Sequence, residues 1–173
     1  RWEETQMPIA RMTKAMLGFP SVSLNHPDLY ALDVLAQLLG EGRTSRLYST
    51  LVLKLQIAES ISVNNGTPAA RYPNLFTIFS RPRHPHTNDE LRDAILQELE
   101  NIKAIHLPDA ELVKAKKQLK MDYLKSLDSN SELASILSYF ELVMGDYHYF
   151  SNYLSMIDKL TAADIQAAAV KYL

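Results

Sequence analysis

Five histidines are the first residues to test for chemistry: His26, His84, His86, His106 and His148. A zinc site on a helix takes two ligands from one face, three or four residues apart. No two histidines of this chain have that spacing. His84-Pro85-His86 brings two imidazoles together, but Pro82 and Pro85 make the segment an irregular loop whose side chains face solvent. A metal contact there would be fortuitous. His106, just before Pro108, reads as a turn residue, and His148, in an aromatic run, reads as partly packed. The absence of cysteine removes thiol catalysis, disulfides and zinc-thiolate sites. The expectation is a chain with no catalytic residue and no metal ligand of its own.

The segment Gly40-Glu41-Gly42-Arg43-Thr44-Ser45 superficially suggests a phosphate cradle. A phosphate loop needs G-x-x-x-x-G-K-[ST] between a strand and a helix. Here the spacing differs and the segment follows a helix, so nucleotide binding is set aside. A helix opening at Ser45 could still attract an anion through its free N–H groups. Arg46 stands one residue further on, and its guanidinium fork suits carbonyls or a carboxylate. Gly40, Gly42, Ser45 and Arg46 are therefore read as a structural loop that Arg46 ties down. No G-x-S-x-G elbow is present for serine catalysis. Carboxylates are plentiful, but none forms a distinguished pair, and solvated helix faces account for them.

Tyr139, Phe140, Tyr147, Tyr149, Phe150 and Tyr153 form an aromatic cluster. A base-stacking surface would interleave lysine and arginine. This one carries Glu141, Asp146 and Asp158 with Lys159 alone, so helix packing is the better reading and a peptide-contacting wall the lesser one.

The bulk numbers agree. A chain of 173 residues suits one domain with one core. Its net charge of −2 offers no basic field, which disfavours a nucleic-acid partner. No apolar run is long enough to span a bilayer. The chain begins Arg1-Trp2-Glu3-Glu4 and ends Val170-Lys171-Tyr172-Leu173 inside a helical pattern, so it is read as a piece of a longer protein.

The elements that would position these residues follow from periodicity. Residues 7–17 roughly alternate and read as a strand ended by Gly18-Phe19-Pro20. Asn25-His26-Pro27-Asp28 opens a helix carrying Leu29, Leu32, Leu35, Ala36 and Leu39, and Gly40 and Gly42 end it where φ turns positive. Ser45 to Lys54 is a second helix with Leu47 and Leu51 on one face. Ile57–Val63 is a strand with Ile57, Glu59, Ile61 and Val63 on one face; Asn64–Pro68 is a turn; Leu75–Phe79 is a strand pairing antiparallel with it. From Thr87 onward the chain is helical. Thr87–Glu90, Ser129–Glu132 and Thr161–Asp164 are capping boxes, and Pro108 starts a helix striped by Leu112, Ala115, Leu119, Tyr123 and Leu127. Strand, two helices, two strands, then four or five helices make an α+β fold with a mostly helical C-terminal half. No internal repeat or linker is present.

Several of these segments resemble one family. They are Pro27-Asp28 with Leu32 and Leu35, then Leu38-Leu39-Gly40-Glu41-Gly42-Arg43-Thr44-Ser45-Arg46-Leu47, then Leu51 and Ile57-Ala58-Glu59-Ser60-Ile61. Glu111–Lys116 and Ile157–Ile165 follow in order. Together they resemble the C-terminal domain of the pitrilysin/insulinase zinc peptidases, the family that includes the mitochondrial processing peptidase. The resemblance covers nearly the whole chain. It implies an antiparallel sheet with helices packed on one face, a metallopeptidase-like ferredoxin-type layer. It also implies a chamber built from two halves of two domains each, closed around an unfolded peptide.

In that family zinc and the general base sit in another domain, on an H-x-x-E-H helix with a later glutamate; the metal lowers the pKa of a water and the glutamate takes its proton. This chain has no H-x-x-E-H. The family's substrate-holding Arg and Tyr, seven residues apart, fall on Val52 and Glu59 here, so both are replaced. The resemblance thus implies a non-catalytic domain, with zinc in the N-terminal domain of the parent. Its implied partners are that zinc-bearing domain, a second peptidase half or a second copy, and an unfolded peptide. An inactive structural subunit of the same fold and a free-standing peptide-binding module are the rival readings. Bacterial relatives work in the cytoplasm and beyond the inner membrane; an extracytoplasmic placement is the expectation.

Overall fold

The computed structural model describes Glu3, residues 13–104, residues 107–125, Leu127 and residues 129–173. Its elements are β1 (Ala15–Pro20), α1 (Leu29–Gly40), a π-helix (Tyr48–Lys54), β2 (Ala58–Thr67), β3 (Leu75–Pro82), α2 (Asn88–Ala104), α3 (Asp109–Lys125), α4 (Asn130–Met144), α5 (Tyr149–Lys159) and α6 (Ala162–Tyr172). The strands form one antiparallel sheet in the order β1-β3-β2. The α+β class, the antiparallel β2–β3 pair and the helical C-terminal half are as the sequence indicates.

The first strand is displaced from its sequence reading. Residues 7–12 lie outside the described residues, and Gly18, Phe19 and Pro20 do not end the strand but pair with Thr77, Phe76 and Leu75. A proline is tolerated there because β1 is an edge strand and Pro20 its last residue. In β2 the register shifts between Ala58 and Ser60. The extra residue breaks the alternation, so Ala58, Ile61 and Val63 face the core and Glu59 turns to solvent. The strict alternation that put Glu59 beside Ile61 is thereby corrected. The predicted turn at Asn64–Pro68 also begins later. The strand runs to Thr67 across a second shift, where Gly66 takes φ 96°.

One face of the sheet is covered. Phe76 and Ile78 of β3, Ala58 and Val63 of β2 and Leu17 of β1 pack beneath the helices. Met16, Leu75 and Phe79 stand exposed on the other face. α1 crosses β2, α2 lies against β1 and β3, and α6 packs on both helices. α3 and α5 flank α1, and α4 rests on α5.

α1 is the centre of the core. The five-residue stripe understates it: Ala31, Val34 and Leu38 are buried as well, and Tyr30 and Asp33 are half-buried. A helix buried on nearly every side is one enclosed by other elements. Gly40 is its last residue and does not have positive φ. A Cβ there would fall 2.3 Å from Val63 Cγ2 and 2.6 Å from the Val63 nitrogen. Glycine is needed because helix and strand touch, and only Gly42, at φ 79°, supplies the left-handed turn.

Local chemistry sets the helix ends. Asp28 is the N-cap of α1, and its N–H donates to His26 Nδ1 at 3.1 Å. Its carboxylate instead accepts from Lys171 Nζ and the Tyr172 hydroxyl, both at 2.6 Å, which holds its pKa below the usual value and ties α6 to α1. Thr87 and Glu90 exchange backbone-to-side-chain bonds of 3.1 and 3.2 Å, and Thr161 and Asp164 form a second capping box. Ser129 accepts from the Glu132 N–H at 3.1 Å, but here the glutamate takes the Ser129 hydroxyl. Gly145, at φ 69°, closes α4.

Candidate functional site

Three structural relationships surround the glycine segment. First, the segment folds on itself: the Ser45 hydroxyl donates to the Gly42 carbonyl at 2.8 Å, and the Ser45 N–H to the same oxygen at 3.2 Å. Second, it is strapped to α3. Arg46 Nε and Nη2 donate to the two carboxylate oxygens of Glu111 at 2.7 and 2.8 Å. One turn along α3, Lys114 Nζ donates to the Thr44 hydroxyl at 2.6 Å. The pair is half-buried, and the Glu111 hydrogen bond raises the Arg46 pKa further, so the guanidinium stays charged. A cleft of about 210 Å³ opens between these groups and the last turn of α1.

Third, the helix that follows is wound more widely than expected. Tyr48–Lys54 is π-helical, with Leu55 N–H donating to the Thr50 carbonyl at 2.8 Å. Leu47 and Leu51 are fully buried, as their spacing indicates. Gln56 leaves this turn at φ 55°, a left-handed conformation unusual for a residue with a side chain. π-turns of this kind accompany functional sites more often than chance.

Val52 lies within the π-helix, and Glu59 lies beyond it in β2. Val52 is buried in the core cluster. Glu59, on the bulge, ion-pairs with Arg81 of β3. Neither presents the guanidinium or phenol that the resemblance associates with these positions.

His26, His86 and His148 are held by different local partners. His86 Nδ1 lies 3.1 Å from Glu90, His26 serves the α1 start, and His106 is outside the described residues. His148 is exposed, not packed: as the N-cap of α5 it projects outward and lies against Tyr147, ring centres 4.1 Å apart. Among the described residues no three histidine, aspartate or glutamate side chains converge on a point that could hold a metal.

Sequence reasoning missed one cluster. Asp33 accepts from Tyr153 of α5 at 2.7 Å and from Asn65 Nδ2 of β2 at 2.8 Å; Asn65 Oδ1 accepts the Ser21 hydroxyl at 2.6 Å. Burial pushes the Asp33 carboxyl up to about 6, against the pull of its two donors. The available signal was a single charge in the apolar run Leu29–Gly40. The aromatic cluster surrounds this point. Tyr153 stacks on Tyr123 with ring centres 4.7 Å apart, and the Tyr149 hydroxyl reaches the Leu24 carbonyl at 3.1 Å. Burial drives the Tyr123, Tyr149 and Tyr153 pKa values well above that of free tyrosine. Phe140 is buried too, whereas Tyr139 and Tyr147 are exposed, so the run divides into packed and surface rings.

Residues 3–119 match the model of the peptidase M16 inactive domain. The chain belongs to this family. The M16 inactive domain is the C-terminal domain of the pitrilysin-type zinc peptidases, as the glycine segment indicates. The chain is 31% identical over 156 residues to the zinc protease PqqE of Helicobacter pylori, covering 90% of this chain and 34% of that protein. It is 26% identical over 181 residues to the Arabidopsis thaliana protein named "Probable mitochondrial-processing peptidase subunit beta, mitochondrial", covering 100% of this chain and 33% of that one. The crystal structure of a protease from Helicobacter pylori superposes with a TM-score of 0.84 at 28% identity, over 94% of this chain and 38% of that one. The chain thus spans about a third of the length of the curated relatives it matches.

Proposed function

We propose that this chain is the non-catalytic partner domain of a zinc metalloendopeptidase. It packs on the zinc-bearing domain and supplies part of the wall of a chamber that encloses an unfolded peptide. The observation that carries this reading is the match of residues 3–119 to the peptidase M16 inactive domain. The relative lengths support it: relatives named as zinc protease and processing peptidase are about three times as long, leaving room for a domain that holds the metal.

The residues support a division of labour. Zinc, placed in the preceding domain, would supply the activated water for peptide hydrolysis. Among the described residues no group of three histidine, aspartate or glutamate side chains offers it a site. With Val52 buried and Glu59 paired to Arg81, the grip on the peptide would come from a second half or a second copy of the protein. What this domain contributes is a rigid wall, held by the Arg46–Glu111 strap and the enclosed α1.

The test is reconstitution. The zinc-bearing segment and this chain are produced separately and mixed. A one-to-one complex, with cleavage of an unstructured peptide that neither part shows alone, is expected. Two parts that do not associate, or a zinc-bearing segment with full activity by itself, would overturn the proposal.

A further inference from the structure

Asp33, Gln37 and Glu41 stand four residues apart, so consecutive turns of α1 and its C-cap set them in one row. All three border a second cleft, of about 280 Å³, with Val63 of β2, Leu119 of α3 and Tyr153 of α5. Among the described residues no lysine, arginine or histidine lines it. Gln37 is 9% exposed, and its side chain has no hydrogen-bond partner among the described residues. Its amide is not among the fully enclosed unpaired groups of the described residues, so it stays open to the donor of an entering ligand. Glu41 is exposed, and among the described residues no cation or donor reaches its carboxylate. Gln37 and Glu41 also line the neighbouring cleft together with Lys114, whose ammonium donates to Thr44. Asp33 has two neutral donors and no cation. The row ends at the C-terminus of α1, where the helix dipole adds negative potential.

We infer that this cleft binds an alkylammonium or guanidinium group, held between the Glu41 carboxylate and the Gln37 amide oxygen with Asp33 behind them. The chemistry is one-sided: two carboxylates and an amide attract a donor-rich cation, and like charge repels an anion. Val63 and Leu119 give a methylene stem an apolar surface to lie on. The cleft is sized for one long side chain, not for a cofactor. The cation could come from a basic residue of a polypeptide or from a free polyamine. Binding is read without cleavage, so the inference stands apart from the peptidase reading.

The full-length protein is titrated calorimetrically at low salt with N-acetyl-arginine amide, N-acetyl-lysine amide and spermidine, and with N-acetyl-norleucine amide as the uncharged control. Saturable binding of the cations and none of the norleucine amide is expected, weakened about tenfold or more by Glu41→Gln and by Gln37→Leu. Tighter binding of the amino-acid amides assigns the site to polypeptide side chains, and tighter binding of spermidine assigns it to polyamines. Glu41 is exposed, so Glu41→Gln keeps the test valid if Gln37→Leu fails to fold. No saturable binding of any cation, equal binding of the norleucine amide, or unchanged affinity in Glu41→Gln would overturn the inference.

Discussion

Arg46 and Glu111, 65 residues apart, face each other fork to fork with hydrogen bonds of 2.7 and 2.8 Å. The pair joins the glycine segment to α3 at a half-buried point, where losing one partner strands the other. Glu111→Gln removes the charge and one of the two acceptors. It is expected to lower stability by about 1–2 kcal/mol in urea unfolding. Arg46→Lys should cost a similar amount, because an ammonium cannot span both oxygens. A loss below about 0.3 kcal/mol for both variants would mean that the strap behaves as a surface ion pair.

Gly40 and Gly42 answer different demands, and substitution separates them. Gly40→Ala places a methyl 2.3 Å from Val63 Cγ2 and against β2 backbone, so α1 must lift from the sheet. The expected cost is about 3 kcal/mol or more, up to loss of the fold. Gly42→Ala meets open space and suffers only from its φ of 79°, costing about 1 kcal/mol. Thermal unfolding of the two variants should rank them in that order, and the reverse order would refute the close-approach account of Gly40.

Asp33 gives the stability a pH dependence of definite sign. Its folded pKa of about 6 lies above the ordinary 3.8, so the folded state holds this proton more tightly than the unfolded chain does. Ionised Asp33 therefore opposes folding at neutral pH, and the penalty fades as pH falls from about 6 toward 4. Asp33→Asn removes the titration and keeps both contacts, because its oxygen can accept from Asn65 and its amide can donate to the Tyr153 oxygen. The variant should gain on the order of 2 kcal/mol over the wild type at pH 7.5, an advantage largely gone by pH 4.5. A stability difference that is the same at both pH values would contradict the assignment.

What could be read from the sequence was what neighbouring residues decide among themselves. Thr87–Glu90 and Thr161–Asp164 cap their helices because hydroxyl and carboxylate lie three residues apart. Leu75–Phe79 pairs with the preceding strand because the two runs lie close in the chain across a turn cluster. What was misread depends on distant parts. The need for glycine at 40 is set by Val63, and the meaning of Asp33 by Tyr153, 120 residues later. The bulge at Glu59 reverses a face assignment that alternation alone could not question. His148 looked packed from its aromatic neighbours, but a cap position turned it outward. For the site, the glycine segment and Arg46 were visible as a motif, while Glu111 as the partner of Arg46 was not, since a salt bridge across 65 residues leaves no local pattern.

The central claim is that this domain completes a zinc peptidase while holding no metal itself. The direct measurement is zinc content and chelator-sensitive cleavage of an unstructured peptide by the full-length protein, with the 173-residue chain as control. The account predicts about one zinc per full-length chain, with cleavage lost to chelator, and neither zinc nor cleavage in the control. Stoichiometric zinc in the 173-residue chain, or a full-length protein that cleaves equally well after its metal is stripped, would contradict it.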